Sequence, residues 1–153
     1  MEPSRIATRI EAPKLYVQET GTVRGMGVFA QKAFRAGEVV ETAPAFLLEE
    51  RLSELPIELQ RRVYQWSELA GDPHSRYRAL VFGFGSLYNH DTPANLLYRP
   101  DVEQQAMVYR AARAIAADEE LTIDYCAEAP GGEPGDPERI NFDWFRRFGI
   151  DKH

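Results

Sequence analysis

The sequence predicts a single α+β domain, mainly β, with one helical insert. Three observations carry that reading. Short apolar stretches alternate with polar residues and end at Gly, Pro or Asp turns; one stretch, 51–70, has a helical period; and neither a repeat nor a linker divides the 153 residues.

Lys14 to Glu19 reads as a short strand, with Leu15 and Val17 alternating against Tyr16 and Gln18. A glycine-rich turn from Gly21 to Gly27 leads into the apolar Val28-Phe29-Ala30, and Phe34 to Gly37 makes a second turn. Glu38 to Leu48 is β-rich, with a break expected at Pro44 because proline donates no ladder hydrogen bond. Leu52, Leu55, Leu59, Val63, Trp66 and Leu69 then recur at spacings of three or four. That spacing predicts one amphipathic helix, starting near Ser53 or Leu55 and stopped by Gly71-Asp72-Pro73, so the insert is placed at about 51–72. Arg78 to Gly85 is apolar and dotted with glycine, and Ser86 to Asn95 is rich in turn residues. Asn95 to Tyr98 and Gln104 to Ala111 read as strands joined by a turn at Arg99-Pro100-Asp101, and Leu121 to Tyr125 as the last strand. Residues 128–138 form a Pro/Gly/acid loop, and an aromatic segment, 141–150, closes a domain taken as 1–150.

A chain of this size can bury one core without disulfide or metal staples. With 44% hydrophobic and 27% charged residues it has the balance of a soluble globular protein. A formal charge of −6 argues against a nucleic-acid partner, which Lys and Arg would have to neutralise, and suits a basic peptide. No apolar run approaches the ~20 residues that span a bilayer, so no membrane partner is expected. Residues 1–13 lack the apolar stretch of a secretory signal, and a cytoplasmic location is expected. Cys126 is the one cysteine, which excludes an intrachain disulfide and a multi-cysteine zinc site, and His74, His90 and His153 lack metal-ligand spacing. An organic cofactor is expected rather than a metal.

Four clusters bear chemistry. In Arg24-Gly25-Met26-Gly27, two glycines let the backbone approach a ligand closely, although a plain β-turn reads the same way. Tyr88-Asn89-His90, followed by Pro93 and Asn95, offers amide donors and acceptors beside a planar ring, or simply an Asx turn. In Glu119-Glu120-Leu121-Thr122-Ile123-Asp124-Tyr125, alternation puts Tyr125 on the same face as Leu121 and Ile123, so its hydroxyl needs a partner or a cavity. Asp124 points the other way and is assigned a structural role. Phe142-Asp143-Trp144-Phe145 either completes the core or covers a flat ring or a lysine stem.

Taken together and in order, "TVRGMGVFAQKAFRAGEVV", "FGFGSLYNHDTPANLLY" and "AARAIAADEELTIDYC" resemble the successive motifs of SET-domain protein lysine methyltransferases. Asn89-His90 with Asn95 is similar to that family's NHS-x-x-x-N signature, and Glu120 to Tyr125 to its closing E-L-T-x-x-Y. The resemblance runs from about residue 14 to 126, with a weaker tail at 141–149. It implies a fold of several small, twisted β-sheets with a pseudoknot-like C-terminal crossing. It implies S-adenosyl-L-methionine as cofactor and a protein or peptide lysine as substrate.

By the same resemblance, Arg24 and Met26, placed by Gly25 and Gly27, contact the cofactor largely through backbone atoms. Asn89 holds its methionine part and the backbone of His90 meets the adenine edge. Tyr125 is the catalytic residue, orienting the lysine amine, and Trp144 or Phe145 covers the adenine or walls the lysine channel. Asp91 stands where the family has Ser, and Asp118 replaces a glycine before the Glu-Glu pair. The family's tyrosine motif after the second strand is absent, Glu41-Thr42-Ala43-Pro44 standing there instead, so Tyr88 and Phe84 are the expected channel aromatics. The three-cysteine zinc cluster of many chromatin members is also missing. The rival reading is an interaction module of the same fold that binds a peptide or the cofactor without turnover.

Overall fold

The computed structural model describes residues 9–60, 62–71 and 77–125. The aromatic segment 141–150 and the loop before it lie outside the described residues.

The expected first strand and glycine turn form a hairpin of β1 (Leu15–Glu19) and β2 (Met26–Ala30), in register from Leu15↔Ala30 to Glu19↔Met26. Its turn is closed twice on the Gly25 carbonyl, by the Thr20 N–H at 2.8 Å and the Thr20 hydroxyl at 2.7 Å. Gly25 takes φ +72°, a left-handed conformation that costs a glycine little.

β3 (Val39–Leu48) runs straight through Pro44, where a break was expected. The strand changes partners there: Val39 to Pro44 pair with β8 (Ala106–Ala111), and Ala45 to Leu48 pair with β5 (Arg78–Val81). The missing N–H of Pro44 falls at the handover, while its carbonyl still accepts the Phe82 N–H at 2.8 Å.

The single amphipathic helix expected over 51–70 is a second correction. It is divided into a 3-10 turn at Leu52–Glu54, a helical turn α1 (Ile57–Gln60), a two-residue strand β4 (Val63–Tyr64) and a helical turn α2 (Trp66–Leu69). Edge pairing with β5, Tyr64 opposite Ala79, wins over helical period, and the Tyr64 hydroxyl bonds the Gly85 carbonyl. Leu55, Trp66 and Leu69 are buried, so the apolar spacing marked residues that face the core.

β7 (Leu96–Asp101) likewise continues through Arg99 and Pro100, with Pro100 opposite Met107, and the turn lies at 102–105. Proline is tolerated because β7 is an edge of its sheet, whose order is β4-β5-β3-β8-β7. The other sheet has the order β1-β2-β9-β6, so β9 (Glu120–Ile123) lies between β2 and β6 (Asn89–His90). β9 is antiparallel to β2 and parallel to β6, with Asn89 opposite Thr122 and His90 opposite Ile123.

Residues of both sheets, among them Val28, Leu121 and Ile123 from one and Val40, Met107 and Tyr109 from the other, form one buried cluster. Small sheets with little helix are the architecture that the family resemblance implies. No helix among the described residues is long and apolar enough to cross a membrane.

Gly85 sits where this core leaves no room: a Cβ there would run into the Val81 side chain and lie 2.7 Å from the Tyr109 hydroxyl. Gly85→Ala is therefore expected to destabilise the fold by about 1–3 kcal/mol, the usual effect of overpacking. A urea melt measures it, and an unchanged midpoint would contradict this packing.

Candidate active site

Three of the four sequence clusters meet at one cleft of about 150 Å³. The glycine turn contributes Arg24, Met26 and Gly27, β6 contributes Asn89, and Tyr125 stands just after β9. Val17 of β1, Leu87 and Arg62 complete the lining. Sequence reasoning had not singled out these last three. Arg62 belongs to the broken insert and donates to the Ser86 carbonyl at 2.9 Å, which carries the insert to the edge of the cleft.

Asn89 ties the walls together. Its amide nitrogen donates to the Met26 carbonyl at 3.0 Å and to Glu120 Oε2 at 2.8 Å. Two acceptors on one side fix the orientation of the amide, leaving Oδ1 as the oxygen end. Glu120 also meets the Arg24 guanidinium at 3.2 Å, and Asp91 approaches it at 3.5 Å. Gly27 is required by this packing: a Cβ would fall 2.7 Å from Glu120 Oε2 and 3.2 Å from Asn89 Nδ2. Glu120 is thus a member of the site that the motif E-L-T-x-x-Y contained but that sequence reasoning gave no role.

Tyr125 is half-buried, and its hydroxyl donates to the Tyr88 carbonyl at 2.7 Å. Its N–H donates to His90 Nδ1 at 3.0 Å, which places the proton of a neutral imidazole on Nε2. The rings of His90 and Tyr125 lie 5.1 Å apart. His90 Nδ1 and Asp124 Oδ1 are 3.9 Å apart, too long for a hydrogen bond, so Nδ1 is governed by the Tyr125 N–H. The His90 side chain turns inward from the strand while β6 holds its backbone beside Ile123. Asp124 is buried, and its carbonyl accepts the Tyr98 hydroxyl at 2.9 Å.

Asn95 has an architectural place. Its Oδ1 accepts the Thr122 N–H at 2.8 Å and its Nδ2 donates to the Glu120 carbonyl at 2.8 Å, so its amide acts as a strand neighbour for β9.

The two expected channel aromatics lie behind the cleft. Tyr88 is 1% exposed, and its hydroxyl donates to Glu41 Oε1 at 2.6 Å. Phe84 is half-buried against the core, and its N–H donates to Glu41 Oε2 at 2.9 Å. Trp144 and Phe145 lie outside the described residues. No group of His, Cys, Asp and Glu among the described residues is arranged to hold a metal ion.

The motifs, their order and their convergence match a known family. The SET domain model matches residues 25–126, more than half of the chain. The chain belongs to the SET-domain family. A Schizosaccharomyces pombe protein, the histone-lysine N-methyltransferase specific for H3 lysine-37, is 30% identical over 105 residues, 67% of each chain. A Plasmodium falciparum protein described as a candidate histone methyltransferase shares the fold with TM-score 0.59 at 24% identity, covering 76% of this chain and 95% of its own. The chain of ctPRC2 bound to S-adenosylmethionine aligns with TM-score 0.57 at 18% identity, covering 77% of this SET domain chain and 16% of its own.

Glu41 carries a carboxyl group buried in the core. Burial pushes its carboxyl above the ordinary 4.5, partly offset by the hydrogen bonds from Phe84 and Tyr88. An acid with a raised folded-state pKa holds its proton longer than in the unfolded chain, so stability is lost as pH rises through the folded value. Glutamine at this position cannot ionise. As pH rises from about the ordinary 4.5 through the raised folded value, the wild type is therefore expected to lose stability relative to Glu41→Gln. Paired urea melts across that range test this; a constant difference would place the carboxyl at its ordinary value.

Proposed function

We propose that the cleft beside Tyr125 binds S-adenosylmethionine and presents its methyl group to a lysine of a protein substrate. The reaction class is that of the family: S-adenosylmethionine-dependent methyl transfer to a lysine side chain. What carries the assignment of this cleft is that Tyr125, Asn89 and the Arg24-Gly25-Met26-Gly27 turn, far apart in sequence, line or border one space.

The residues fit such a ligand chemically. Arg24 and Arg62 suit a carboxylate, and Asn89 Oδ1 and Glu120 suit an ammonium, the two charged ends of an amino acid. Exposed Met26 and Leu87 offer apolar surface to a flat ring. Whole small-molecule sites run from about 300 Å³ upward, so the described walls of about 150 Å³ would hold part of the molecule. The substrate channel, with Tyr88 and Phe84 behind it, and the cover expected from Trp144 and Phe145 belong to this proposal too.

When bound, the sulfonium supplies a methyl group already activated for in-line displacement. The protein's task is then alignment and exclusion of water. Lysine has an ordinary pKa near 10.4, and an apolar channel beside a positive charge favours its neutral, nucleophilic form. The Tyr125 hydroxyl donates its proton to the Tyr88 carbonyl, which leaves its oxygen the role of acceptor. It can orient an amine by accepting one of its hydrogens and can make weak CH···O contacts to a polarised methyl. No dedicated base is assigned.

A histone H3 peptide carrying lysine 37, the named target of the S. pombe relative, is the first substrate to offer, followed by a mixed peptide array. Tyr125→Phe is expected to lose most turnover while keeping cofactor affinity, read by a labelled-methyl assay beside calorimetry. Undiminished turnover would remove Tyr125 from the mechanism. Asn89→Ala is expected to weaken cofactor binding more than tenfold, over ~1.4 kcal/mol. Unchanged affinity would sink the role of Asn89.

A further inference from the structure

Glu41 does not reach the cleft, yet the segment between Phe82 and Tyr88 is built around it. The residue is 3% exposed on β3, opposite Tyr109 of β8. Its carboxylate takes the Phe84 N–H on one oxygen and the Tyr88 hydroxyl on the other. No ion pair reaches it among the described residues. The chain wraps it closely: Gly83 takes φ +63°, and a Cβ there would stand 2.5 Å from Glu41 Oε2. Beside it the Tyr109 hydroxyl donates to Tyr64 at 2.9 Å, and the Tyr64 hydroxyl bonds the Gly85 carbonyl. The Tyr88 and Tyr109 rings pack at 4.7 Å.

A buried carboxylate with no cation is a poor device for stability, since apolar residues of similar volume often do as well or better. It is a good device for geometry, because it accepts only from donors placed where its oxygens are. Tyr88 is held at its hydroxyl end by Glu41, and its carbonyl, at the other end of the same residue, is what the Tyr125 hydroxyl bonds at 2.7 Å.

We propose that Glu41 is a positioning residue for methyl transfer, fixing Tyr88 and, through the Tyr88 carbonyl, the hydroxyl of Tyr125. The inference rests on the assignment of Tyr125 to catalysis. It gives a use to the Glu41 carboxyl at the place where the family's tyrosine motif is absent. It also predicts that the signal runs through one hydroxyl: with that hydroxyl gone, Glu41 has nothing left to position.

The test uses the whole chain, measuring kcat, cofactor Kd by calorimetry and the melting midpoint together. Tyr88→Phe deletes one oxygen and keeps the ring packing. It is expected to lower kcat by roughly tenfold while cofactor Kd moves less than about threefold. Glu41→Leu should do the same, and should it fail to fold, Tyr88→Phe carries the test. Glu41→Gln can still accept from Phe84 and hold the Tyr88 hydroxyl through its amide, and is expected to keep most activity. In a Tyr125→Phe background, Tyr88→Phe should cost less than about threefold more, since neighbours acting through one group are not additive. Wild-type kcat in Tyr88→Phe would overturn the inference alone. So would an equal loss in both backgrounds, which marks a merely structural effect. A wild type that binds cofactor but methylates nothing would overturn the assignment of Tyr125 as well.

Discussion

The placement of β9 between β2 and β6 is the constraint on which the site depends. It brings Asn89 within hydrogen-bond reach of both Met26 and Glu120, and sets Tyr125 just past the end of a strand held on both sides. Each neighbour pairs through only two residues, so side chains finish the joint: Asn89 bridges β2 and β9, and Asn95 completes the β9 backbone where the β6 segment has turned away. The same contacts that close the sheet shape the cleft, and Gly27 is needed because they leave no room for a Cβ.

Behind the sheet lies a layer of buried oxygen atoms, the hydroxyls of Tyr64, Tyr88 and Tyr109 and the carboxylate of Glu41. Burial pushes all three phenols well above their ordinary range, so they stay protonated and act as donors at every ordinary pH. Donors that stay protonated, aimed at the Gly85 carbonyl and the Glu41 carboxyl, give a rigid backing for the segment that carries Tyr88 and Leu87. An apolar layer of the same size would pack without dictating where that segment's carbonyls point.

Much of the fold was legible because it rests on local rules. The alternation of Leu15 and Val17, the glycine turn and the last strand were readable from period and turn chemistry. The errors have a common cause. At Pro44, at Pro100 and across 51–70, tertiary pairing overrode a local preference, and pairing partners are not written in a local window. The spacing of Leu55, Trp66 and Leu69 still identified inward-facing residues, though not their conformation. In the site, the motif residues Arg24, Gly27, Asn89 and Tyr125 were legible through their order along the chain. Arg62, Val17 and Leu87 were not, because an ordinary residue becomes a wall only by position. Glu41 did leave a trace: on β3 it alternates with Ala43 and Ala45, so a carboxylate falls on the buried face.

The position of β9 has a consequence for how the molecule comes into being. It is the last described strand in the chain and an interior one in its sheet, so the hairpin at residues 15–30 must wait for residues 120–123. During synthesis, the edge of β2 emerges roughly ninety residues before its partner, a delay of about 5–18 seconds at ~5–20 residues per second. The cleft lacks one of its walls until the segment carrying Tyr125 arrives. Until then the nascent chain exposes an open strand edge that needs protection from other chains.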